Sequence, residues 1–247
     1  MSAGLFYGVI LLALVGTLSA ALLYRRFVLR PIEGYQTLRL TIDRALETNT
    51  AVHVSFGASA LREESTLSAI ASAGVLYYVA ARATLADRPT ITTMSDPVTL
   101  GLGQDTLRRA YRSRGALNNY VPSQARWYPS GPLSLAFAAG VGAEITDSDV
   151  YANILTGRFG VELMLMAEQP IRYNRPIVAH SDRIDGLAVA YVVSETPLLG
   201  EELYAGSGYL DPTPLHVGGV IAQDLLRFAV IIGLIVLAAM AFSGVVK

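Results

Sequence analysis

Val52-His53-Val54-Ser55-Phe56, followed at once by Gly57-Ala58-Ser59, is the stretch that decides the fold. A short β-branched run, a glycine with small residues, and then a long helical stretch over 61–85 read as strand, turn and helix. The same unit recurs along the chain. Thr90 to Met94 predicts a strand, with helix over 99–112. Arg126-Trp127-Tyr128 predicts another before helix 133–145, and Val150 to Leu155 a fourth before helix 161–168. Pro176 to His180 predicts a fifth before helix 184–193, and Pro197-Leu198-Leu199 a short sixth. Strands alternating with helices imply right-handed crossovers and a mainly parallel sheet covered on both faces. The expected fold is therefore α/β, a Rossmann-like, five- or six-stranded sheet. A barrel of eight such units needs about 250 residues without the terminal segments, so it is disfavoured.

Outward from this core, Pro31 and Gly34 precede an amphipathic helix with Leu38, Ile42 and Leu46 at four-residue spacing. Beyond it the chain turns apolar at both ends. No charge occurs from Met1 to Tyr24, nor from Phe228 to Val246, and these runs account for much of a mean hydropathy of +0.42. Each approaches the ~20 apolar residues that span ~30 Å of hydrocarbon. Arg25, Arg26 and Arg30 follow the first run, whereas no Lys or Arg precedes it. That asymmetry predicts a retained anchor rather than a cleaved signal, with the following segment cytoplasmic. The expectation is a two-pass protein of the inner membrane with both termini outside. Lys247 alone speaks against that orientation. The expected segments are a transmembrane helix at 1–24, a juxtamembrane segment at 25–50, the α/β domain at 51–212, and a helix continuing into the second span at 213–247.

The absence of cysteine removes disulfides, thiolate metal sites and Cys nucleophiles. A net charge of −1 lacks the basic footprint that nucleic acid demands. Arg108, Arg109, Arg112 and Arg114 fall on one predicted helix and read as a solvated face, or one near lipid headgroups. No G-x-G-x-x-G follows the first strand and no Walker-type loop occurs, so no cofactor is expected. His53, His180 and His216 are too scattered for a metal site.

The strand ends rhyme. Gly57 to Ser59, Ser95-Asp96-Pro97, Ser130-Gly131-Pro132, Thr156-Gly157 and Ser181-Asp182 each stand between a strand and a helix. N-capping explains all five junctions. In open parallel sheets, however, ligands bind at that same rim, where helix N-termini favour anions. The candidate rim is Gly57, Ser59, Ser95, Asp96, Thr156, Gly157, His180 and Asp182. Ser59 resembles a nucleophile elbow, with His180 and Asp182 as imaginable partners, although Leu61 stands where that motif wants glycine. Glu201-Glu202 reads as a solvated turn or a cation site.

Three predicted helical stretches lack a wet face: Leu133 to Val141, Leu187 to Val193 and Gly74 to Ala81. One sheet face cannot bury a helix that is apolar all round, so a partner surface is expected. The partners would be copies of the chain or other membrane subunits.

The order of parts also resembles a known family. HVSFG, TMSDP, GQDTLRRAY and GEELYAGSGYL before a terminal apolar helix are together similar to an uncharacterised bacterial and archaeal family of two-pass membrane proteins with a Rossmann-like domain. The resemblance implies topology and carries no chemistry. The leading functional expectation is a non-enzymatic, membrane-anchored scaffold of an oligomeric complex. The alternatives are a small-anion (nucleotide-like) sensor at the rim and a hydrolase using Ser59.

Overall fold

The computed structural model describes residues 11, 14–19, 22, 29–84 and 88–242. Most of the first predicted span and the last residues of the second lie outside the described residues. The chain divides into two compact units, Pro31–Gly206 and the paired ends Met1–Arg30 with Ser207–Lys247.

In the first unit, β1 (Ala51–Gly57), β2 (Thr90–Met94), β3 (Ala125–Trp127), β4 (Val150–Arg158) and β5 (Ile177–Ala179) form one parallel sheet. Their order is β3-β2-β1-β4-β5. It reproduces the first five strands of the doubly wound order, with the switch point between β1 and β4. β1 is the central strand and is buried along its whole length. This is why it reads as the most continuous β-branched run.

Helices α1 (Glu33–Glu47), α2 (Thr66–Ala83) and α3 (Pro97–Ser113) cover one face of the sheet. Helices α4 (Leu135–Asp147), α5 (Leu163–Arg172) and α6 (Ile184–Val193) cover the other. Strand alternation assigns side chains to the two sides. Val52, Val54 and Phe56 point to the α1–α3 layer. Ala51 and Leu155 belong with Phe137, Val141, Leu163 and Met166 to the core beneath α4–α6. The amphipathic α1 is integral to this unit, with Leu38 and Ile42 fully buried and the Tyr35 hydroxyl donating to the Glu202 carbonyl at 2.7 Å.

Several elements differ from the sequence expectation. Pro197-Leu198-Leu199 is no strand, although the Leu198 amide donates to the Ala179 carbonyl beside β5. Helix α2 begins at Thr66, not near Leu61, because the Ser65 hydroxyl accepts from the Ala60 amide and Arg62 turns to φ 71°. Leu133 and Ser134 adopt positive φ, so α4 starts at Leu135. Thr156-Gly157 lies inside β4 instead of beyond it.

In the second unit, α7 (Gly206–Leu210) leads to α8 (Pro214–Phe242). The 29 residues of α8 have a mean hydropathy of 2.6 over their most apolar window and are long and apolar enough to cross a membrane. Val217 and Ile221 pack with Leu29, whereas the side chains from Phe228 onward are exposed. Residues 11, 14–19 and 22 are helical.

Candidate functional site

At the switch point β1 and β4 touch backbone to backbone. Gly57 turns at φ 61°, and a Cβ there would stand 2.2 Å from the Arg158 carbonyl. Gly157, at φ 145°, would bring a Cβ within 2.2 Å of the Phe56 carbonyl and 2.7 Å of Ser59 Oγ. Only glycine fits either contact. The Ala58 amide donates to the Arg158 carbonyl at 2.8 Å, and the Arg158 amide returns a bond to Ser59 Oγ at 2.9 Å.

Several candidate rim residues bond one another or the neighbouring backbone, whereas Thr156 Oγ1 and His180 Nε2 are buried without a hydrogen-bond partner among the described residues. Ser59 is fully buried, and its carbonyl accepts from Thr99 Oγ1 at 2.9 Å. Its hydroxyl is thus a staple between strand ends, with no solvent path for a nucleophile. The Ser95 amide and hydroxyl both donate to the Gly57 carbonyl, and Trp127 Nε1 donates to the Ser95 carbonyl at 2.9 Å. Asp96 caps α3 through Oδ2, 2.7 Å from the Thr99 amide. Thr156 turns away from the rim toward α2, where its carbonyl accepts from Ser72 Oγ at 2.8 Å. The Asp182 amide donates to the Gly157 carbonyl at 3.1 Å. Burial raises the Asp182 carboxyl above its ordinary pKa, against the opposing pull of Arg158 and Arg183.

His180 is buried, and its Nδ1–H donates to the Leu198 carbonyl at 2.9 Å. That bond fixes the neutral tautomer, since a carbonyl only accepts. Burial lowers its pKa. The structure therefore gathers Gly57, Ser59, Ser95, Asp96, Gly157 and Asp182 around one seam, while Thr156 and His180 serve packing on either side.

Three of the rim's helix N-termini, those of α3, α5 and α6, hold carboxylates. Besides Asp96 on α3, Glu162 Oε1 accepts from the Gly160 amide at 2.8 Å before α5. Asp185 stands in the first turn of α6, paired with Arg183 at 2.7 Å. Glu202, one of the two glutamates singled out in the sequence, accepts from the Leu199 amide at 2.8 Å and closes a 3-10 turn, Gly200–Ala205. A carboxylate of the chain thus stands at the positive ends of α3, α5 and α6, whereas the first turns of α2 and α4 carry none. Of the five junctions expected to be capped, Asp96 carries the side-chain cap of its helix, and none is recorded for the N-caps of α2, α4, α5 and α6.

Sequence reading missed a second polar constellation, beneath α4–α6. His53, fully buried on β1, bonds Thr93 Oγ1 through Nε2 at 2.9 Å, and Thr93 Oγ1 donates to Ser55 Oγ at 3.0 Å. Asn153 faces His53 across the β1–β4 pair. Desolvation, reinforced by the charge on Arg126, lowers the His53 pKa to about 3, against a smaller opposing bond from Asn153. Nearby, the buried Glu144 carboxylate on α4 accepts from Arg126, from the Tyr128 hydroxyl at 2.9 Å, and from Ser148. The signal was present in His53 and Ser55, which alternate with Val52, Val54 and Phe56 and so mark one sheet face as polar.

Among the described residues no group of three or more His, Asp or Glu is gathered to hold a metal. The chain matches no curated protein and no solved structure. Residues 2–246 match the family described as Domain of unknown function (DUF6754), so the chain, nearly end to end, belongs to that family.

Proposed function

We propose that this protein is a membrane-anchored, non-enzymatic assembly module: a Rossmann-like domain held at the bilayer by its two apolar ends and joined to further subunits. The observation that carries this reading is the apolar outer surface of the α4–α6 layer. Leu135 on α4 and Met164 and Leu165 on α5 are exposed, as are Leu133 and Val161 in the turns that lead into these helices. A water-facing helical layer normally carries charge. A contiguous apolar surface marks an interaction site. Anchoring draws support from α8, whose 29 residues rise about 43 Å, against ~30 Å of hydrocarbon. In this reading the α/β domain is cytoplasmic and both termini lie outside.

The alternatives draw less support. A Ser59 hydrolase requires an accessible hydroxyl, and Ser59 is fully buried. An anion sensor draws on free helix N-termini, and the chain's own carboxylates stand at those of α3, α5 and α6, leaving α2 and α4 without one.

Two measurements test the proposal on the full chain. An alkaline carbonate wash of native vesicles leaves the protein in the pellet. Native mass analysis in mild detergent then gives an assembly larger than one chain. Release by carbonate removes the anchor, and a clean monomer with no partner removes the assembly.

A further inference from the structure

Resting on the assembly reading, we infer that the α4–α6 surface is a self-interface on which a second copy of this chain docks by two-fold symmetry. Helix α6 shows the pattern most directly. Its outward residues Ile184, Ala188, Tyr191 and Val192 fall at i, i+4, i+7 and i+8, one complete helix face without a polar atom except the tyrosine hydroxyl. Ile184 is 88% exposed, Val192 74% and Tyr191 67%. Between α4 and α5 runs a groove of about 410 Å³ lined by Ala139, Gly142, Ala143 and Leu165 and, on its polar side, by Asp147 and Glu168. Its small residues admit a protruding side chain or helix.

The area fits a partner of the same kind. Counting Ile171 with the eight large apolar side chains already named, nine stand roughly half or more exposed on this layer. At about 60–120 Å² of apolar surface per fully exposed aliphatic side chain, they offer roughly 500 Å². A standard interface takes about 800 Å² from each partner, and in homodimers about 65% of it is apolar, which is again roughly 520 Å².

The charges point the same way. Arg172 pairs with Glu168 at 2.6 Å, Arg183 with Asp185 at 2.7 Å, and Arg175 with Asp149 at 3.0 Å. A two-fold contact sets each patch against itself, so an unbalanced charge would meet its own sign. Here three ion pairs close within the protomer, and Asp147 at the groove is a carboxylate without an ion pair among the described residues. The same pairing disfavours a lipid surface as the occupant, because adsorption to anionic headgroups draws on free Lys and Arg.

Because the natural chain has no cysteine, single cysteines report contact cleanly. Ala139→Cys, Leu165→Cys and Ala188→Cys are placed on the surface, with Gln36→Cys on α1 and Arg108→Cys on α3 as controls. Each full-length variant is oxidised or treated with a short bismaleimide in native vesicles. A disulfide needs Cα atoms within about 7 Å, so a covalent dimer from at least one surface position and none from the controls is expected. Val192→Glu, at an exposed site, should keep the helical content of the protomer by circular dichroism and weaken the detergent-solubilised dimer roughly 30- to 100-fold. Dimers linked through the controls alone, or a Val192→Glu chain that dimerises as before, overturn the inference. Cross-links from the surface positions to other membrane proteins, with none between copies, overturn the second copy while leaving the assembly reading standing. A monomer without any cross-link overturns both.

Discussion

The two helical layers of the α/β domain differ in how much charge and how much apolar surface they turn outward. On the α1–α3 side the sheet presents Val52, Val54 and Phe56 inward together with Thr90, Thr92 and Thr156. The helices there turn Gln36, Arg39, Arg44, Asp105, Arg108 and Arg112 to water beside four exposed apolar side chains, Leu40, Leu67, Ile70 and Val98. On the α4–α6 side a buried polar row, His53, Thr93, Ser55 and Asn153, lies against the sheet, and the outer surface carries Leu165, Ile184 and Val192. The first arrangement is that of a layer facing solvent. The second places polarity where it is expensive and apolar side chains where they gain nothing in a monomer. A layer of that kind is coherent once a partner covers it, for burial of its outer face then contributes to stability, and the inner polar network fixes how the strands align.

The comparison can be broken at four points, from the largest expected effect down. Gly157→Ala strikes the seam that both layers share, forcing a Cβ to 2.2 Å from the Phe56 carbonyl at φ 145°. Overpacking and backbone strain together should cost on the order of 4–5 kcal/mol, read as a collapse of the denaturation midpoint. Next comes acid. The folded His53 pKa of about 3 lies below its unfolded value of 6.5, so the unfolded chain binds the extra proton between those limits. Stability is unaffected above pH 6.5 and falls as the pH drops below it, by about 3 kcal/mol at pH 4. His53→Gln should flatten that decline in denaturant titrations across pH 4–7, leaving the smaller contribution of His180, whose pKa is shifted the same way. His53 lies on the α4–α6 face and His180, next after Ala179 of β5, on the other, so the larger part of the decline belongs to the α4–α6 side.

Glu144→Gln sharpens the contrast within the α4–α6 side. It removes the buried charge that Arg126 and Tyr128 share and should cost about 2–3 kcal/mol in chemical denaturation. Asp96→Ala tests the α1–α3 side with the smallest effect. Loss of the cap on the Thr99 amide should cost about 1 kcal/mol and lower the thermal midpoint slightly, without touching assembly.

Much of this architecture is legible in the residues. Five strands lie where β-branched runs stand between helical stretches, and α6 spans the expected Ile184–Val193. The bare faces of 133–141 and 187–193 are visible in the sequence because charge is missing there. The bare stretch at 74–81 is a different case: Val75, Leu76, Val79 and Ala80 are buried inside the domain, so no partner is needed to cover them. Periodicity cannot distinguish a helix buried by its own domain from one awaiting another chain.

The candidate site was legible as a location and illegible as chemistry. Gly57, Ser59, Gly157 and Asp182 meet at the switch point, as the unit order requires. Whether a serine there faces solvent depends on how closely two backbones approach. That approach is set by Gly157 against Phe56, residues 101 positions apart in the chain. Likewise Pro197-Leu198-Leu199 has the composition of a strand, yet only a single amide bond to Ala179 ties it to β5.

The order of strands and helices, the apolar ends, and the lack of cysteine or nucleotide motifs follow from local composition and spacing, which act within a few residues and are readable from them. Which helices a carboxylate closes, which histidine lies dry against the sheet and which apolar helix face stays uncovered were decided by tertiary structure. Those outcomes depend on what distant segments bring within a few ångströms, and distance in space is not written in distance along the chain.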